Sequence, residues 1–86
     1  MSVPIKWDIA RRIIEVLISR YSHMLPPATV IELYNSVTNM DANAFVERLY
    51  RCVETLAYNG IEDQDIERLM NDLFVSNYFI FFRGLI

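Results

Sequence analysis

Apolar and polar residues recur along this chain with the period of a helix in four separate stretches, and no run of five or more alternates with the period of two that a half-buried strand requires. In the first, Asp8, Arg11, Arg12, Glu15, Ser19 and Ser22 form one polar stripe. Ile9, Ile13, Ile14, Val16, Leu17 and Tyr21 fill the rest of the surface, which predicts a helix over about 4–22, starting near Pro4 and buried on most sides. The prolines of "SHMLPP" then break the helix, because each lacks an amide donor and restricts the residue before it.

A second helix is predicted over 27–37, with Val30, Ile31, Leu33, Tyr34 and Val37 as its apolar face. The turn "TNMD" follows, in which Asp41 is an N-cap candidate and Asn39 a weaker one. The third segment, 42–59, has the clearest pattern: Ala42, Phe45, Val46, Leu49, Val53, Leu56 and Ala57 share one face, and Asn43, Glu47, Arg48, Arg51 and Glu54 oppose them. Asn59 and Gly60 end it, and Ile61 is placed to close a Schellman motif on Leu56.

The fourth segment, 63–82, opens on the carboxylates of "EDQD", which suit the positive end of a helix dipole. Ile66, Leu69, Met70, Leu73 and Phe74 form its core stripe, continued by Ile80 and Phe81. On a continuous helix, Val75, Phe79, Phe82 and Ile86 fall on the opposite side, in line with Gln64, Arg68 and Asn71. No repeat, low-complexity tract or linker divides the chain. The expected fold is all-α, a compact single-domain bundle of about four helices (approximately 4–22, 27–37, 42–59 and 63–82) over residues 1–86, with short connections that favour antiparallel neighbours.

Composition adds pressure to this picture. A chain of 86 residues buries only about 60 to 65% of the surface its unfolded form exposes, yet 53% of its residues are hydrophobic. Some of that apolar surface is expected to meet a partner. The single cysteine, Cys52, excludes an intrachain disulfide, and no run has the length of a membrane span or the order of a secretory leader, so the expected setting is intracellular and cytoplasmic.

The net charge of −3 is unevenly placed. Lys6, Arg11, Arg12 and Arg20 outnumber Asp8 and Glu15 in the first 25 residues, whereas Glu62, Asp63, Asp65, Glu67 and Asp72 outnumber Arg68 and Arg83 after residue 60. Such asymmetry means that the two ends pack together, or that copies associate with opposite charges facing.

Little chemistry is signalled. One histidine and one cysteine do not make a structural zinc site, and the acidic run lacks the spacing and central glycine of a calcium loop. No motif surrounds His23 or Cys52 as a base and nucleophile; a solvated or helix-capping histidine and an inert buried thiol are expected, with no cofactor and no enzymatic activity.

The functional expectation is a non-enzymatic protein–protein interaction module, such as an adaptor, inhibitor or assembly subunit, acting by docking on a protein partner or by self-association as a homodimer. The docking residues are Val75, Phe79, Phe82 and Ile86, with Arg68, Asp72 and Arg83 as a charged rim. Two readings compete for the same tail: burial on all sides inside the bundle, and a strand over "YFIFF", for which the sequence offers no partner strand. The alternative function is a DNA-binding helix-turn-helix regulator built from helices 27–37 and 42–59. Its turn lacks the glycine common in such motifs, and the acids alternating along 42–59 oppose phosphate binding. Polar positions before Val75 that are mainly Asn, Asp, Glu and Gln argue equally against anionic lipid.

Overall fold

Capping chemistry sets most of the helix boundaries in the computed structural model, which describes residues 4–75. The helices are α1 (Trp7–Tyr21), α2 (Pro27–Thr38), α3 (Ala42–Tyr58) and α4 (Gln64–Leu73). Pro27 takes the first position of α2, where its missing N–H costs nothing. Asp41 caps α3 by accepting from the Ala44 N–H at 3.1 Å, and Asp63 caps α4 by accepting from Asp65 and Ile66 at 3.0 and 3.2 Å.

The end of α3 is the Schellman motif that the sequence predicts. Gly60 adopts a φ of 77°, and the N–H groups of Gly60 and Ile61 donate to Ala57 and Leu56, each at 2.9 Å. The end of α2 has the same hydrogen bonds with an unexpected residue in the left-handed position. Met40, at φ 52°, donates to Val37 at 3.0 Å, and Asp41 donates to Ser36 at 2.8 Å. Asp41 therefore closes one helix with its N–H and opens the next with its carboxylate.

The outer boundaries of the first and last helices differ from expectation. Residues 4–6 precede α1 in extended form, and α4 stops at Leu73 rather than continuing to 82, with Phe74 extended at φ −85° and ψ 141°. The two segments pair with each other: Lys6 N–H donates to Leu73 at 2.7 Å, Val75 N–H donates to Pro4 at 3.2 Å, and Ile5 and Phe74 form an isolated antiparallel bridge. Ile5 and Phe74 are 7% and 8% exposed, so the extended residues that flank α1 and α4 bury two large side chains and pair main chain with main chain. The continuous wheel that set Val75 opposite Ile66 and Leu73 does not extend past Leu73.

The product is an all-α bundle around one core. Ile13 and Leu17 of α1, Leu33 of α2, Phe45, Leu49 and Cys52 of α3, and Ile66 and Leu73 of α4 form its centre, with Leu25 reaching in from the α1–α2 connection. Trp7 meets Phe45 edge-on at 6.4 Å, joining the start of α1 to the start of α3. α1 packs between α2 and α4, and α3 packs on α2. Of the two meanings given to the charge asymmetry, packing of the two ends is what occurs within the chain.

Candidate functional site

The strongest polar constellation joins the last turn of α1 to the first turn of α4. Arg20 donates to both Asp63 oxygens, at 3.1 and 2.8 Å, and also pairs with Asp65 at 2.9 Å. Tyr21 donates its hydroxyl to the same Asp63 carboxylate, whose side chain is 7% exposed. A basic helix C-terminus thus meets an acidic helix N-terminus, as both dipoles favour.

The titration of these groups follows from their contacts. Partial burial pushes the Asp63 carboxyl up, but hydrogen bonds from Tyr21, Arg20 and the Ile66 N–H outweigh it and hold the group below its ordinary range. Donation to Asp63, reinforced by desolvation, raises Tyr21, and the bonds to Asp63 and Asp65 raise Arg20. Arg20, Tyr21, Asp63 and Asp65 are each paired within this cluster, which makes it a fastener between helices.

Catalytic geometry does not gather around the residues weighed for it. His23 is exposed on the connection after α1, whereas Cys52 is 1% exposed in the core and its thiol is pushed up to about 11 by burial. Among the described residues, no group of three or more His, Cys, Asp or Glu is placed to hold a metal ion, and no helix is long and apolar enough to cross a membrane.

No protein-family model, curated protein or solved structure matches this chain. The reading therefore rests on its own surfaces.

Of the expected docking residues, Val75 is 57% exposed, although its N–H bonds Pro4. Phe79, Phe82, Ile86 and Arg83 lie outside the described residues. Arg68 and Asp72 are exposed on α4. The two helices of the helix-turn-helix candidate, α2 and α3, are joined by three residues, and two arginines of α3 are occupied. Arg48 bonds Glu32 of α2 at 3.1 Å, and Arg51 bonds Glu47 at 2.8 Å. Arg12 and Arg20 line a groove against α4 instead of joining them.

Three surface features escaped the sequence reading. Ile31 and Tyr34, taken as part of the apolar face of α2, are 58% and 50% exposed. The buried side is marked by Leu33 and Ser36, and Ile31 stands about 160° around the axis from Leu33 at 100° per residue. Ser36 misleads because a polar residue is buried there, bonding the Leu33 carbonyl at 2.7 Å within its own helix. Tyr58, at the end of α3, is 93% exposed. Between α3 and α4 lies a shallow apolar cavity of about 150 Å³, floored by Val53, Leu56, Ile66 and Met70 and edged by Glu62 and Glu67.

Proposed function

We propose that this chain is a non-enzymatic protein-docking module whose docking element is the apolar C-terminal segment beginning at Val75. The observation that carries the reading is the end of α4. α4 stops at Leu73, Phe74 turns inward, and Val75 is already 57% exposed when the chain enters residues 76–86, seven of which are hydrophobic. Aromatic side chains delivered at a surface supply interface energy far beyond their number, and Arg68 and Asp72 on α4 provide a charged border. The action is steric or scaffolding, on a protein partner or a second copy of the chain, in an intracellular setting.

Light scattering on the wild type and on Phe79→Asp with Phe82→Asp, paired with circular dichroism, tests this. Loss of an oligomer with helix content kept supports docking through the segment between copies. A wild type that stays monomeric at high micromolar concentration removes self-association and leaves a foreign partner. Unfolding of the variant assigns the aromatics to the monomer's own core and sinks the proposal.

One observation favours the DNA-binding alternative: Met40 supplies the left-handed turn conformation that glycine usually provides between such helices. The internal pairing of Arg48 and Arg51 opposes it. Absence of DNA retention at low salt would end that reading.

A further inference from the structure

A groove on the other side of α4 has a different character from the rest of this acidic surface. Arg12, Val16 and Arg20 from α1 face Asp65, Arg68 and Leu69 from α4 across a cavity of about 320 Å³. On α1 the three positions are successive steps of four, so they form one row along the groove. Val16 and Leu69 are half-buried and form an apolar floor. Arg20 is neutralised by Asp63 and Asp65. Arg12 and Arg68 are exposed and make no hydrogen bond or ion pair among the described residues.

We infer that this α1–α4 groove is a docking site for an acidic, amphipathic segment of a partner protein, with Arg12 and Arg68 each receiving a carboxylate and Val16 and Leu69 receiving an apolar side chain between them. Guanidinium groups bind carboxylates with two parallel hydrogen bonds, and two such anchors beside an apolar floor fix both position and direction of a bound segment. Charge complementarity selects this occupant over the others. Residues 76–86 carry Arg83 as their one charged side chain, so the chain's own tail offers no carboxylate side chain to either arginine. A second copy brings a net charge of −3 against −3. A nucleic acid needs a continuous basic track, and here Asp65 interrupts the arginines while Asp63 shares Arg20.

The test is fluorescence anisotropy with a labelled synthetic helical peptide that carries two glutamates one turn apart among leucines, at about 20 mM and about 200 mM salt. Binding at low salt is expected to weaken by about tenfold or more in Arg12→Gln with Arg68→Gln, and by less than about twofold in Arg51→Gln, whose arginine is paired on α3. A glutamine version of the peptide is expected not to bind. These arginines are exposed, so circular dichroism should be unchanged in every variant. Arg68 borders both surfaces, so the Phe79→Asp with Phe82→Asp variant, which keeps both arginines, separates them: it is expected to bind the peptide as the wild type does, whatever becomes of docking through the C-terminal segment. No binding at low salt, or equal weakening by Arg51→Gln, overturns the inference. Displacement of the peptide by an oligonucleotide that the double variant no longer binds overturns it in favour of nucleic acid.

Discussion

The α2–α3 hairpin and the α1–α4 pair bring helices together at opposite extremes of sequence separation. The first closes over the three residues 39–41, where Asp41 terminates one helix and caps the other, and a single exposed ion pair, Glu32–Arg48, crosses between them. The second joins residues 42 or more apart and is fastened at both ends: by Arg20, Tyr21, Asp63 and Asp65 at one, and by main-chain pairing of Pro4–Lys6 with Leu73–Val75 at the other. Closing a loop of about 40 residues costs roughly 2 kcal/mol more than closing one of three. Fasteners at both ends of the α1–α4 pair stand where that cost falls, whereas the hairpin is closed by its turn, with Glu32–Arg48 between its helices.

The largest break in this comparison is Phe45→Ala, which removes the fully buried ring that meets Trp7 and so uncouples the hairpin from α1. A loss of about 3–5 kcal/mol is expected, out of roughly 4–13 kcal/mol available to a domain of this size. Denaturant melts should show a partly or wholly unfolded protein; a loss below about 1 kcal/mol would mean that the two halves do not share a core.

Asp63→Ala comes next, because one carboxylate serves as helix cap, ion-pair partner and acceptor for Tyr21. About 2 kcal/mol should be lost, and Tyr21→Phe should cost less in that background than in the wild type. The pH dependence has a definite sign. Asp63 titrates lower in the folded chain than in the unfolded one, so its contribution is present above about pH 4 and disappears as pH falls through the lowered value. Tyr21 and Cys52 are raised, so theirs is present at neutral pH and disappears as pH rises past 9 to 10, through about 11 for the thiol. In Asp63→Ala the acid limb of the stability profile should flatten; an unchanged limb would assign it to other carboxylates.

The two Schellman turns give a smaller and opposite pair of effects. Gly60 has open space where a Cβ would stand, so Gly60→Ala costs only backbone strain, about 1 kcal/mol. Met40→Gly should stabilise by about 0.5–1 kcal/mol, since the methionine is 66% exposed and gives up little packing. A shared sign in thermal melts would contradict this account. Arg51→Ala, on an exposed i,i+4 pair with Glu47, is the smallest, under about 0.5 kcal/mol.

The hairpin was also the more legible half. Asp41 as a cap, Gly60 and Ile61 as a stop, and the face from Ala42 to Leu56 all act within a few residues, and local patterns record local causes. The end of α4 left no such record. No proline or glycine stands between Leu73 and Arg83, and apolar residues continue at helical spacing, so periodicity extends the helix to 82. What stops it is main-chain pairing with Pro4–Lys6, almost 70 residues earlier, which no local pattern encodes. The same reason hid the arginine groove: Arg12 and Arg68 each read as one more charge on a polar stripe until two distant helices are laid side by side. Exposure of Ile31 was hidden differently, by a buried serine that satisfies itself.

The pairing of Pro4–Lys6 with Leu73–Val75 also determines how this protein would respond to tension. Pro4 bonds Val75 and Lys6 bonds Leu73, so Pro4 and Val75 lie side by side at one edge of the bundle. Force applied at Pro4 and Val75 does not shear the bonds together; it loads the Val75–Pro4 bond first, then Lys6–Leu73, and then the edge where α4 lies on α1. Under such a load the pair is peeled from the Pro4–Val75 edge, and the Arg20–Asp63 fastener at the far end of the same helices is the last to yield.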